Sequence, residues 1–447
     1  MEVWLNIMRF YTAEDVLEKV KENNVKFIRL QFTSMLGTLK NLAITVEDLP
    51  RALSGQVRFD SSVVLDRVGS YESDIYLMPD PGTFMIFPWR PREGAVARLL
   101  CDVLQPDGTP FFACSRSILK KCRQKAMAGG YQLQVGAEVE FYLFHQDEQG
   151  RPLTSTHDRA GYCDLTPVDR GENARRDMVL TLQEMGFDVA TSHHEIGPGQ
   201  HEIILKDDDV LAMADNLITF KFVVRTIAGR HGLHASFMPR PLNYANGSGL
   251  HLFLSLWREN ANVLADPRGP RGLSSLAEQF IAGILHHAPA LTALANPLVN
   301  SYKRLRCSPM VPCLTGCAEQ LRAAMLRVPA GRGSDTRLLL RSPDPAGNPY
   351  LVLAAVLGCG LDGVEKGLVP QWLPEEDPAE KWEQLYREHC LPVDLAGALQ
   401  ALEGDRLLLD LLGQKLAGHY LQYKQEEWQR YQSTVHEWEI NEYLVNY

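Results

Sequence analysis

The chain has 447 residues, with 45 Lys and Arg against 55 Asp and Glu, and its net charge of −10 argues against nucleic acid as a direct partner. At 45% hydrophobic and 22% charged residues it has an ordinary globular composition, long enough for about two or three domains. The longest apolar run, Leu351 to Leu361, stops at Asp362 after 11 residues, short of the roughly 18 that a spanning helix needs, so no membrane partner is expected. The opening MEVWLNIMRF has no positive start and no long apolar stretch, and is not expected to be a secretory signal. Nine scattered cysteines fit free thiols in a reducing, cytoplasmic setting. Cys307, Cys313 and Cys317 lack a C-x-x-C spacing, which favours ordinary thiols over zinc ligands.

Thr12 followed by Asp15 predicts a capped helix with Val16, Leu17 and Val20 on one face. From Phe27 to Phe32 apolar and polar residues alternate, and after a turn near Gly37 the pattern resumes from Leu39 to Thr45, which predicts a hairpin. Prolines at 79, 81, 88 and 91 and the turn Pro106-Asp107-Gly108 precede a helical stretch from Ser115 to Ala128, and a domain boundary is placed near residue 110. The remainder alternates strand and helix patterns, predicting an α/β or α+β body with a large sheet or barrel. Leu133 to Phe144, Gln200 to Leu205, Leu250 to Leu256 and Arg337 to Arg341 are its chemically informative strands. From Leu421 to Tyr447, Trp428, Tyr431, Val435 and Trp438 fall at helical spacing, either on a helix packed on its own subunit or on a tail that grips a neighbour.

In the strand from Leu133 to Phe144, Val135, Ala137, Val139, Phe141 and Leu143 share one face, and Glu138 and Glu140 stand together on the other. Side-by-side carboxylates repel, so they belong either on a solvated edge or beside a compensating cation. Glu195 precedes a Pro-Gly turn and Glu202 opens the next strand, which lets both reach one point. His251 follows Asn246-Gly247-Ser248-Gly249 on the face opposite Leu250, Leu252 and Leu254. Several carboxylates with one imidazole suit Mg²⁺ or Mn²⁺, and Arg304, Arg322, Arg332, Arg337 and Arg341 add the cations that phosphoryl chemistry uses. No Walker or Rossmann glycine motif is present.

These residues resemble class I glutamine synthetase of the shorter, Gram-positive type, from about Tyr11 to Tyr447. The matching motifs are FIRLQFTSMLGTLKN at 27–41, Phe59-Asp60, ESDIYLMPD at 72–80, GAEVEFYLF at 136–144, SHHEIGPGQHEI at 192–203, NGSGLH at 246–251, NSYKR at 300–304 and NPYLVL at 348–353. The resemblance implies an α+β fold, with a small N-terminal β-grasp-like domain over 11–109 and a catalytic domain with a large curved, barrel-like sheet over 110–447. It also implies a homo-oligomer, a dodecamer of two hexameric rings with active sites between subunits. ATP would phosphorylate the side-chain carboxylate of glutamate, and ammonia or another amine would displace the phosphate. Carried over by motif, Glu140, Glu195 and Glu202 resemble the first-metal ligands, and Glu138 and His251 two of the three ligands of a second metal, Mg²⁺ or Mn²⁺. Asn246, Gly247, Arg304, Arg322 and Arg341 match residues that hold glutamate and the phosphoryl group, and Asp60, reaching in from a neighbour, matches the aspartate that binds ammonium.

The chain departs from that pattern at several positions. Leu339 stands where the resemblance implies the third second-metal glutamate, flanked on its face by Arg337 and Arg341. Met310 replaces a glutamate of the flap that shields the acyl phosphate, Leu321 and Ala323 flank Arg322, Ser61-Ser62-Val63 rewrites the loop after Asp60, and Gly69 replaces an arginine linked to feedback inhibition. Asp335 and Glu319 are carboxylates nearby in sequence that could stand in for it. Three readings follow: a slow glutamate–ammonia ligase, a ligase for a different amine or acid, or an inactive homologue with a binding or regulatory role.

Overall fold

A computed structural model describes residues 11–67, 73–306, 311–375 and 382–447; Met310, Gly69 and Cys307 lie outside the described residues. Thr12 caps α1 (Ala13–Glu22) reciprocally: its Oγ1 accepts from Asp15 N–H at 3.2 Å, and Asp15 Oδ2 accepts from Thr12 N–H at 2.7 Å. The expected hairpin is β1 (Val25–Thr33) against β2 (Leu39–Thr45), antiparallel from Phe27↔Thr45 to Thr33↔Leu39. Its turn uses Gly37 at φ +83°, where a Cβ would lie 2.8 Å from the Cα of Asn348. After α2 (Leu49–Leu53), the strands β3 (Val57–Asp60), β4 (Asp74–Pro79), β5 (Met85–Ile86) and β6 (Ala95–Leu104) complete a six-stranded sheet in the order β2-β1-β6-β4-β3, with β5 beside β6.

Helix α3 (Ser115–Ala128) occupies the predicted residues and leads to a ten-stranded sheet. In chain order its strands are β7 (Gln132–Gln146), β8 (Pro152–Thr156), β9 (Val189–His194), β10 (Gln200–Asp209), β11 (Leu233–Ser236), β12 (Leu250–Arg258), β13 (Ala261–Asn262), β14 (Leu314–Ala318), β15 (Ala324–Arg327) and β16 (Leu338–Leu340). The path runs β14-β15-β16-β12-β7-β10-β9 and curls into a half-barrel, so the architecture is the expected α+β one. Helices α4 (Glu172–Glu184), α5 (Val210–Arg230), α6 (Ser275–His286), α7 (Ala288–Ala295), α8 (Val299–Leu305) and α9 (Pro349–Lys366) accompany it. The long apolar run of the sequence is the middle of α9, buried against α6 rather than in lipid. Their crossing needs glycine, because a Cβ on Gly363 would lie 2.6 Å from the Cα of Gly283. Among the described residues no helix is long and apolar enough to cross a membrane.

The two sheets are tied by Arg116 of α3, which reaches Asp80 at 2.8 Å and Asp102 at 3.1 Å on the small-sheet side and Asp215 of α5 at 2.8 Å. This buried guanidinium has a carboxylate for each face of its fork, the condition under which burying charge is tolerated. After α10 (Trp382–His389), α11 (Leu395–Gly404) and α12 (Arg406–Leu412), the C-terminal segment differs from expectation. It is two helices, α13 (Gln414–Ser433) and α14 (Glu437–Tyr443), separated at Thr434, whose extended backbone ends the first. Trp428 packs on the core, whereas Val435 and Trp438 are exposed, so the aromatic spacing does not mark one continuous face. All eight described cysteines are free, as expected.

Candidate active site

β7 is paired on both sides, with β10 and with β12, which removes the solvated-edge alternative for its two glutamates. Val135, Ala137, Val139, Phe141 and Leu143 face the core. Directly opposed residues share a face, so the register Glu202↔Glu140, Ile204↔Glu138, His251↔Glu138 and His193↔Glu202 gathers four strands' side chains on one concave surface. The turn between Glu195 and Glu202 brings the last carboxylate in. Gly197 has no room for a side chain, since a Cβ would lie 2.2 Å from the Tyr142 hydroxyl, and Gly199 turns at φ +67°.

His251 Nδ1 lies 2.9 Å from Glu138 Oε2, and His193 Nε2 lies 3.3 Å from Glu195 Oε1 and 3.6 Å from Glu202 Oε1. Ligand atoms of Glu138, Glu202 and His251 fall within 4.8 Å of one another, and so do those of His193, Glu195 and Glu202. Glu202 therefore belongs to both groups. Its pKa is pushed up to about 10 by burial and by Glu138, Glu140 and Glu195. Burial also raises Glu140, with Glu195 adding to it, against the opposing pull of His251, Arg304 and the Gly249 N–H. Clustered oxygen donors with this much unrelieved charge fit a hard divalent cation. The five residues expected to hold metal are thus brought together, with His193 added.

Arg304 is buried against Gly247 and Gly249, and donates to Ser342 O at 2.8 Å and Arg341 O at 3.2 Å. A Cβ on Gly247 would be 2.4 Å from Pro239 O and 2.8 Å from Arg304 Cγ, which is why the loop before β12 carries glycine there. Gln200 Nε2 donates to both Gly247 O and Glu140 Oε2 at 3.1 Å, joining loop and carboxylate, while Tyr142 donates to Asn246 O at 2.5 Å. Arg341 is lowered to about 10 by burial and by Arg327, Arg304 and Arg322, with Glu140 opposing; it donates to Arg322 O, and Arg322 itself is exposed. Asp60 is in the small sheet, its carboxylate held below its usual range by the Ser62 hydroxyl and N–H, and it is not among the carboxylates gathered on the large sheet.

Leu339 pairs with Phe253 and Arg327 across the sheet, on the His251 face, and is 8% exposed. Its neighbours Leu338 and Leu340 point into the core from the other face, and Leu339 is itself buried. Neither Glu319 nor Asp335 takes its place: Glu319 pairs with Arg332 at 2.7 Å, and Asp335 packs against Gly331. Ala323 is buried in a satellite cluster with Cys313, Leu314 and Leu373 that Leu321 packs against, which gives these two departures a packing role.

Behind the Glu195–Glu202 turn lies a network not apparent from sequence. Asp158 Oδ1 accepts from Gly199 N–H at 2.8 Å and faces His194 Nε2 at 3.1 Å; Oδ2 accepts from Arg170 N–H at 3.2 Å and faces His157 Nε2 at 2.9 Å. His194 Nδ1 lies 2.6 Å from Glu195 O. His157, Asp158, Asp169 and His201 are close enough to suggest a second cation site. Arg175 fills that role instead, with Nη1 2.8 Å from both Asp169 Oδ2 and His201 Nδ1, and Gly171 closes the remaining space between the two imidazoles.

Residues 24–106 match the family model described as glutamine synthetase, beta-grasp domain, and residues 112–443 match glutamine synthetase, catalytic domain. A glutamine synthetase of Clostridium saccharobutylicum is 49% identical over 443 residues, covering 98% of this chain and 100% of the relative. One of Thermus thermophilus is 45% identical over 444 residues, with 98% and 100% covered. The solved structure "GmaS/ADP complex-Conformation 1" superposes with a TM-score of 0.88 at 31% identity, covering 96% of this chain and 99% of that one. A Plasmodium falciparum glutamine synthetase, at 24% identity and a TM-score of 0.86 over 97% and 99% of the two chains, supports the fold alone.

Proposed function

The chain belongs to the glutamine synthetase family of ligases, and from that premise we propose that it joins glutamate to ammonia, or to another amine, at the expense of ATP and at a slow rate. The observation that carries this reading is the single surface on which Glu138, Glu140, Glu195, Glu202 and His251 converge beside Arg304 and Arg341. Bound Mg²⁺ or Mn²⁺ would neutralise these carboxylates and polarise phosphoryl and carboxylate oxygens. Arg304, Arg322 and Arg341 hold the glutamate carboxylate and the transferred phosphoryl group, with Asn246 and Gly247 lining the amino-acid pocket. Asp60 of the partner subunit takes a proton from the incoming amine. ADP in the GmaS complex supports nucleotide as the co-substrate.

In this reading residues 11–109 and 110–447 form two domains and the protein acts as a homo-oligomer, a dodecamer of two hexameric rings, in the cytoplasm. The exposed Val435, Trp438, Leu444 and Val445 supply apolar surface for subunit contact. The apolar Leu339 favours a second reading, an inactive homologue with a regulatory or binding role, because a first-ligand loss exceeds the roughly 10- to 100-fold cost of losing an outer ligand. The deciding experiment is phosphate release from ATP with Mg²⁺ or Mn²⁺ and glutamate, with and without ammonia and a panel of amines. Release dependent on glutamate and one amine supports the ligase and identifies the amine. No release from assembled protein supports the inactive homologue.

A further inference from the structure

The two guanidinium groups flanking Leu339 need an anion, and the structure shows where one of them finds it. β10 bulges between Leu205 and Asp208, shifting its register against β7. The bulge lays the Asp207 side chain over Gly136, where a Cβ would come within 2.4 Å of Asp207 Oδ1. Gly136 is two residues before Glu138 on the same face of β7, so the Asp207 carboxylate occupies a place on the acidic surface that a longer residue would fill. Opposite Gly136 is Phe253, and opposite Phe253 is Leu339. Arg337 spans this apolar floor, its guanidinium 5.9 Å from the Phe253 ring centre and its Nη2 3.1 Å from Asp207 Oδ2.

We propose that Asp207 is an internal competitor for the phosphates of a nucleotide, holding Arg337 neutralised on the Phe253–Leu339 floor, so that nucleotide binds only by breaking the Asp207–Arg337 pair. The inference rests on the reading that ATP is a co-substrate on this face. The compensation is electrostatic, since Asp207 is not within ligand distance of the Glu138 and His251 group. Both partners keep some solvent access, 24% for Asp207 and 41% for Arg337, so the pair is exchangeable rather than locked.

The test measures ATP binding by isothermal titration calorimetry with excess Mg²⁺ for the full-length protein and for Asp207→Asn, Arg337→Ala and the double variant. Asp207→Asn is expected to tighten ATP binding about 3- to 10-fold at low salt, the gain shrinking as salt rises. In the Arg337→Ala background the same change is expected to shift affinity less than about 2-fold, because the competitor then has nothing to compete for. Asp207→Ala, which removes the carboxylate without adding an amide, should repeat the gain. Wild-type ATP binding that neither Asp207 variant tightens overturns the proposal and leaves the ligase reading standing. No ATP binding by any of the proteins, while Mn²⁺ still binds, overturns both.

Discussion

Replacing Asp158 by Asn tests whether the network behind the metal-binding turn acts on the site or merely fills space. The carboxylate accepts two backbone N–H groups, from Gly199 and Arg170, and faces two imidazoles, those of His157 and His194. Burial pushes its pKa up, but the hydrogen bonds and charges of His157 and His194 outweigh burial and hold it well below the usual carboxylate range. Asn is nearly isosteric and keeps one acceptor, so Gly199 and His194 retain a partner. Its amide, however, faces Arg170 N–H donor to donor. One half-buried donor left without its acceptor and weaker bonds at the others cost about 1 to 3 kcal/mol of unfolding free energy. Because Asp158 holds both Gly199 and His194, and His194 holds the Glu195 carbonyl, the loss moves the turn that aims Glu195 and Glu202. Mn²⁺ affinity, read by electron paramagnetic resonance well below the melting temperature, is expected to fall about 10- to 100-fold, the range for outer-sphere partners of metal ligands. His287→Gln, destabilising in a network remote from the turn, is the control and should leave Mn²⁺ affinity unchanged. Loss of stability in Asp158→Asn with Mn²⁺ affinity within about 2-fold of the wild type would refute the positioning argument.

Metal binding should release protons, since Glu202 is pushed up to about 10 and Glu140 is also raised. Near neutral pH about one proton per Mn²⁺ is expected, seen as buffer-dependent calorimetric enthalpy, and Glu202→Gln should abolish it; buffer-independent heats in the wild type would contradict this. Leu339→Glu combined with Met310→Glu should raise ATP- and ammonia-dependent glutamine formation, and no gain would mean that the rewritten loops, not the two absent carboxylates, limit the reaction. His287 lies between Asp405 at 2.5 Å and Asp362 at 3.1 Å; burial lowers its pKa, but these carboxylates raise it overall. Its contribution is therefore full below the unfolded histidine value of about 6.5 and is lost as pH rises through the raised folded value. Asp362 and Asp405, which burial raises but which His287, with Lys366 at Asp362, brings below the ordinary value, contribute above about 3.9 and lose that contribution as pH falls. The stability gap between wild type and His287→Gln in urea unfolding should be widest between about pH 4 and 6.5 and narrow at alkaline pH; a gap independent of pH would count against the pairing.

What could be read from the residues followed their spacing. The alternation in Leu133 to Phe144 placed Glu138 and Glu140 on one face, and α1, α3 and the β1–β2 hairpin appear where caps and periodicity put them. The break in the C-terminal segment was not legible because helical spacing across Thr434 is unaffected by a local extended backbone. Arg337 to Arg341 shortened to Leu338–Leu340 for a related reason, since alternation continues past the last ladder hydrogen bond.

The site's remaining content is long-range, and no local pattern encodes it. His193 was visible within the run Ser192-His193-His194-Glu195, but only the pairing His193↔Glu202 turns it toward the carboxylates. Asp207 reads as one of three aspartates ending a strand; a bulge of a single residue, which spacing cannot register, swings it over Gly136 and onto Arg337. Glu319 and Asp335, two candidates nearby in sequence, were the wrong ones because proximity along the chain says little about proximity across a sheet. Leu339 and Asp207 are then best understood together. An apolar residue, Leu339, sits at one edge of the surface, and a carboxylate 132 positions earlier in the chain pairs with one of the two arginines that flank it, so the charge of Arg337 is balanced from β10 rather than from its own strand. A carboxylate on β16 would have faced a cation held with Glu138 and His251; the one on β10 faces Arg337 and competes with whatever anion that arginine would bind.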